Sequence, residues 1–127
     1  MKVEVFEIPF KLIGLNDYIN AERTNRFKAS AIKKNIEKEI GYYVENSKRK
    51  GLLTPHDVPC TLEIEWTEGN MRRDGDNIAF ATKFIQDTLV RHGIFPNDTR
   101  KYITELHHTF KTVKGVYKVT VTIKENE

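Results

Sequence analysis

The chain has 127 residues, enough for one domain that buries a sizeable core. With 39% hydrophobic and 31% charged residues, its composition argues against wholesale disorder. A single cysteine, Cys60, excludes an intrachain disulfide and a paired-cysteine zinc site. The opening stretch MKVEVFEIPFKLIG alternates acidic and apolar residues and lacks the apolar core of a signal peptide. No apolar run approaches a membrane span, so no membrane partner is expected and the expected location is cytoplasmic. The net charge of +3 says little, but its distribution is uneven. Residues 21–50 hold nine Lys/Arg against four Glu, whereas the rest of the chain is slightly acidic. That asymmetry suits one surface gripping a polyanion, and it equally suits a solvated helix face.

In chain order, Val3 to Phe10 is rich in β-formers and predicts a first strand ending near Pro9. The stretch GLNDYINAERTNR, with Gly14, Asn16 and Asp17, reads as a polar loop. From Arg26 to Lys48, apolar residues recur at helical spacing through Ile32, Ile36, Ile40 and Tyr43/Val44, and Gly51 and Pro55 close the segment. Thr61 to Thr67 alternates, with Leu62, Ile64 and Trp66 on one face and Glu63 and Glu65 on the other: a half-buried strand. A second helix is expected from Asn77 to Arg91, on the stripe Ile78, Ala81, Ile85 and Leu89, with Gly93 at its C-cap. Tyr102 to Phe110 and Val116 to Lys124 read as strands, paired as a hairpin through Lys114-Gly115. The expectation is a single α+β domain, order β-α-β-α-β-β, with a small mixed β-sheet covered by two helices.

The chemistry concentrates in residues 72–103. Asp74 and Asp76 stand two apart at a helix entry, behind Arg72 and Arg73, and in an extended turn such residues project to the same side. Converging carboxylates repel unless a cation joins them, and Mg²⁺ takes oxygen ligands and shares them with phosphates. The competing reading has one aspartate capping the helix and the other solvated. Lys83 lies seven residues after Asp76, two turns along the expected helix, so it returns to almost the same face, where its ammonium can meet a phosphate. Asp87 is placed to pair with it at i,i+4. Asp98 lies beyond the expected helix stop, where the returning chain approaches Asp74 and Asp76. Three carboxylates and a lysine are the ingredients of metal-assisted phosphodiester hydrolysis.

These residues resemble the RusA family of Holliday junction resolvases, small phage and prophage nucleases. The family pattern runs from Arg-Asp-x-Asp-Asn into a helix with a lysine, then a glycine and an acidic pair. Here it reads Arg73-Asp74-Gly75-Asp76-Asn77, Lys83, Ile85 to Leu89, Gly93 and Asn97-Asp98. The opening IPFKLIGLNDYINAER is also similar, so the resemblance extends over most of residues 1–127. It implies catalytic, metal-holding Asp74, Asp76 and Asp98, a functional Lys83, Mg²⁺ dependence with Mn²⁺ as a substitute, a homodimer, and cleavage of four-way DNA junctions. Two features depart from the pattern: Lys83 falls nearly two turns after Asp76 where the family has about one, and the acidic pair is Asn97-Asp98. Arg72, Arg73, Arg23, Arg26 and Lys28 are the expected phosphate contacts, which hold DNA without reading sequence. The rivals are a non-catalytic module binding branched DNA and a nuclease acting on flaps or forks. Elsewhere, the DGDN stretch lacks the ligands of a calcium loop, adjacent His107 and His108 point to opposite strand faces, and Tyr42, Tyr43, Phe80 and Phe84 read as core or interface.

Overall fold

A computed structural model describes residues 2–126. Four strands, β1 (Val3–Ile8), β2 (Cys60–Glu68), β3 (Ile103–Thr112) and β4 (Lys118–Glu125), form one sheet in the order β1-β4-β2-β3. Pairing is antiparallel for β1 with β4 and for β4 with β2, and parallel for β2 with β3. The helices are α1 (Leu15–Thr24), α2 (Arg26–Arg49), α3 (Gly75–Ala79) and α4 (Thr82–Arg91). The architecture is therefore α+β with a mixed sheet, as the periodicities indicated.

The alternation in β2 and β4 sets the core. Phe6, Val121 and Ile64 share one row across the sheet, and Ile8, Val119 and Trp66 share the next. These side chains merge with Ile40 and Val44 of α2 and with Phe84, Ile85 and Leu89 of α4 in a single buried cluster. Gly41 lets α2 and α4 close together, since a Cβ there would lie 2.6 Å from His92 Nε2. The C-terminus of α4 ends as expected: Gly93 adopts φ +77°, and the Ile94 amide donates to the Leu89 carbonyl at 2.9 Å.

Three expectations are corrected. Residues 15–24 are helical, not a loop. The residues read as turn formers are also helix starters: Gly14 occupies the N-cap and Asp17 the first turn. Tertiary contact supports this short helix, because Tyr18 packs on Phe80 and Phe84 with ring centroids 5.3 and 5.6 Å away. Second, the helix over 77–91 is broken between Ala79 and Thr82. Bonds spanning three residues tighten the chain here, from Ala81 to Ile78 and from Lys83 to Phe80, while the Thr82 hydroxyl donates to the Ala79 carbonyl at 2.6 Å. Asp76 and Lys83 thus lie on separate helices, and the uninterrupted phase that was to align them does not exist. Third, β3 and β4 form no hairpin, because β2 lies between them. The Gly115 turn crosses the end of β2, with the Val113 and Gly115 amides donating to the carbonyls of Glu68 and Gly69. Burial explains the order: β2 carries Leu62, Ile64 and Trp66, each almost wholly buried, and takes two partners, whereas polar β3 is left at the edge.

Candidate active site

The turn that carries the aspartates begins where β2 ends. Leu62, Ile64, Trp66 and Glu68 share strand parity, so the alternation that builds the core also drives the Glu68 carboxylate inward, where its side chain is 9% exposed. A buried carboxylate needs a cation, and Arg73 supplies it. Its Nε and Nη2 donate to the two Glu68 oxygens at 2.8 and 2.7 Å, and its Nη1 donates to the Leu12 carbonyl at 3.0 Å. Asn77 makes a second anchor, accepting from the Asn16 amide at 3.0 Å. Gly14 makes room for both, since a Cβ there would fall 2.6 Å from Asn77 Oδ1 and 3.0 Å from Arg73 Nη1. Beneath the turn, a Cβ at Gly75 would touch the Phe110 ring of β3 at 3.0 Å. Motif residues 73, 75 and 77 therefore tie the turn to β2, to the β1–α1 connection and to β3.

The residues between them face solvent. Asp74 and Asp76 are exposed, and among the described residues neither side chain makes a hydrogen bond or an ion pair. Asp74 occupies the N-cap position of α3 without bonding a backbone amide, so the expected capping alternative is not observed. Beside Asp74 lies a cleft of about 300 Å³, walled by Glu68, Arg73, Gly75, Phe110 and Lys111.

Lys83 and Asp98 form a separate group. Lys83 Nζ lies 3.1 Å from Asp87 Oδ1 and 3.4 Å from Asp98 Oδ2, and Asp87 also meets Lys33 of α2 at 3.7 Å. The hydrogen bond to Asp87 is the main reason the Lys83 ammonium is held above its ordinary range, with Asp98 adding to it. Asn97 turns inward on its own loop, its Oδ1 accepting from the Thr99 amide and hydroxyl at 3.1 and 2.6 Å, which leaves Asp98 as the anionic member of the pair. Among the described residues, no group of three or more His, Cys, Asp or Glu side chains stands close enough to hold a metal ion. The structure brings Asp98 to Lys83 and not into one cluster with Asp74 and Asp76. In kind, the donors fit Mg²⁺: the exposed, unengaged carboxylates of Asp74 and Asp76 suit an ion that binds one or two carboxylates and keeps its waters for phosphate exchange.

Of the five expected phosphate contacts, Arg72, Arg23, Arg26 and Lys28 are exposed. Arg73 is not available in the same way, since its side chain is 13% exposed and spent on Glu68 and Leu12. Glu68 was missed in the sequence, although strand parity pointed to it. The two histidines diverge as expected: His108 accepts from Trp66 Nε1 at 3.0 Å, while His107 is exposed near Glu105. Phe84 is core and Phe80 packs at its margin, Tyr43 packs on Phe10, and Tyr42 is exposed. No helix among the described residues is long and apolar enough to cross a membrane. In comparisons with known proteins, no family model and no curated protein matches the chain.

Proposed function

We propose that this chain is a Mg²⁺-dependent endodeoxyribonuclease of the RusA type that resolves four-way DNA junctions by paired nicks. The observation that carries the reading is the division of labour in residues 73–77. Arg73 and Asn77 are committed to holding the turn, and Asp74 and Asp76 are left exposed and unpartnered on it. Unpaired carboxylates on a braced turn gain nothing for stability from their position, and a pre-positioned anionic pair is what a metal–phosphate site requires. Asp74 and Asp76 are the residues that would hold Mg²⁺; Asp98, which the resemblance also implies as a ligand, stands with Lys83 and not in one cluster with them. When bound, the ion lowers the pKa of its water and neutralises charge growing on the phosphate.

The chain's own groups do the rest. Arg72, Arg23, Arg26 and Lys28 hold the DNA backbone at exposed positions. Lys83, its ammonium paired with Asp87 and Asp98, offers a positive charge to the phosphate or the leaving oxygen. Two copies related by a twofold axis supply the two symmetric cuts that a junction needs.

A synthetic four-way junction, incubated with wild type, Asp74→Asn and Asp76→Asn in Mg²⁺ or in EDTA, tests the proposal. Wild type is expected to nick opposed strands only in Mg²⁺, and both variants are expected to bind the junction but lose nicking by a hundredfold or more. Junction binding by wild type without any cut would favour a non-catalytic binding module. Cutting of flaps or forks in preference to the four-way junction would keep the chemistry and change the substrate.

A further inference from the structure

Gly75, between the two aspartates, is not required by its backbone, because its φ is not positive. It is required by a ring: a Cβ there would lie 3.0 and 3.1 Å from Phe110 Cζ and Cε2. The tip of Phe110 thus rests on the aspartate turn, while the rest of the ring is open, the residue being 49% exposed. Met71, 82% exposed, lines the same cleft, its sulfur accepting from the Thr112 hydroxyl at 2.9 Å. Apolar surface held open at the mouth of a cleft marks a place that a ligand covers. The cleft's volume of about 300 Å³ lies at the lower end of the roughly 300–1,000 Å³ of small-ligand sites. Its polar side chains are already committed: Glu68 to Arg73, Asn70 to the Tyr117 hydroxyl and the Arg72 amide, and Thr112 to Met71.

We infer that this cleft receives an unstacked nucleobase of branched DNA, flat against Phe110, when the neighbouring phosphate stands at Asp74 and Asp76. A nucleotide carries base and phosphate on one sugar, so a phosphate at the turn brings a base within reach of the ring that touches the turn. Exposed Arg72, next to Met71 in sequence, and exposed Lys111, in the cleft wall, supply positive charge for the strand. Because its polar side chains are engaged elsewhere, the cleft recognises the face of a base and not its edge. Every base has such a face, so stacking tolerates any sequence. Pairing is another matter. A base inside a continuous duplex must first be unstacked, and that cost is least where the base is already free of its helix. Phe110 is thereby a determinant of structure selectivity, favouring a branch point over plain duplex without reading sequence. The subsite rests on the proposed reading of branched DNA as the substrate, but not on the strand being cut.

Equilibrium binding in Mg²⁺ tests the subsite, with Asp76→Asn as the background so that the strand stays intact, on a four-way junction and on a linear duplex of the same sequence. Adding Phe110→Leu keeps an apolar contact with Gly75 but removes the flat face. It should raise the junction Kd on the order of tenfold and leave the duplex Kd within about twofold. Phe110→Tyr keeps the face and should stay within about threefold on both. Abasic sites at the branch point should weaken binding by a similar factor when Phe110 is present and by less than about twofold in Phe110→Leu, since both changes delete one contact. A junction carrying 5-iodouracil at the branch point should photo-cross-link to Phe110 or Met71 of the unsubstituted chain, which a ring that only props the turn would not give. Equal loss of junction and duplex affinity in Phe110→Leu, additive effects of the two deletions, or a cross-link confined to other residues would each overturn the subsite. Cleavage by the unsubstituted chain, scored separately, decides the nuclease reading. Binding without cutting, with the Phe110 effects intact, would leave the subsite standing alone, and cutting with no effect of Phe110→Leu on junction affinity would leave the nuclease standing without it.

Discussion

Removing the Arg73 guanidinium separates a bracing role from a DNA-contact role at the same residue. Its three donors meet Glu68 twice and the Leu12 carbonyl once, at 2.7 to 3.0 Å, and its side chain is 13% exposed. Arg73→Ala leaves the Glu68 carboxylate buried without a cation and the Leu12 carbonyl without this donor. Breaking a buried pair by deleting one partner costs about 3–5 kcal/mol. Because both side chains keep some contact with water, the lower part of that range, about 3 kcal/mol, is the expected loss. For a domain of this size, each kcal/mol moves Tm by roughly 3–5 °C, so melting should fall by about 10–15 °C. Replacing both residues by methionine should recover much of the loss, since well-packed apolar groups often substitute for a buried ion pair at little cost. Urea and thermal melts of Arg73→Ala, Glu68→Met and Arg73→Met/Glu68→Met measure this. A surface arginine that only touches phosphate would behave differently. A change below about 1 kcal/mol in Arg73→Ala, with a clear weakening of DNA binding, would refute the bracing assignment.

Lys83→Ala is expected to lower single-turnover cleavage on the order of a hundredfold with little change in junction affinity, because a charge acting on the transition state affects rate more than binding. Asp87→Ala serves as the control, and a Lys83→Ala rate within about threefold of wild type would make the lysine only a partner of Asp87 and Asp98. For DNA affinity, the triple change of Arg23, Arg26 and Lys28 to alanine should flatten the salt dependence of junction binding by up to about 2.7 in log–log slope, at about 0.9 for each phosphate no longer neutralised. An unchanged slope would place the DNA surface elsewhere. A pH effect is expected at Glu4. Burial, the largest influence, pushes its carboxyl up, but hydrogen bonds from the Thr54 hydroxyl and amide and from His56 outweigh it and hold the group below its ordinary range. A carboxylate depressed on folding stabilises above its unfolded pKa, and that contribution is lost as pH falls through the folded value. Glu4→Gln should therefore cost about 1–2 kcal/mol at pH 7, and the gap to wild type should shrink as urea melts are taken below about pH 4. A gap that stays constant down to pH 3 would contradict this.

Local pattern was enough to read β2, β4, α2 and the Gly93 cap, because there the period of the apolar residues and the burying surface coincide. Leu62, Ile64 and Trp66 are buried for the reason that made them legible, and the same parity implied an inward Glu68. The α+β class follows from those elements alone. Helix α1 was hidden because its stabilisation comes from Tyr18 meeting Phe80 and Phe84, more than 60 residues away in sequence. The break at residues 80–81 was hidden because a Thr82 hydroxyl bonding back to Ala79 looks, in sequence, like any threonine in a helix. Strand order was likewise undecided, since Lys114-Gly115 suits both a hairpin and a crossover. Competition for the central position settled it: β2, with buried residues on both of its faces, has neighbours on both sides, which leaves the largely exposed β3 outside. For the candidate site, the residues of the Arg73–Asn77 motif were visible from their types and spacing. Which of them brace and which stay free is a property of partners that only the folded chain brings near: Leu12, Asn16 and Phe110. Spacing along a chain constrains neighbours within a turn or two, and every meeting of residues beyond that is decided by how the elements pack.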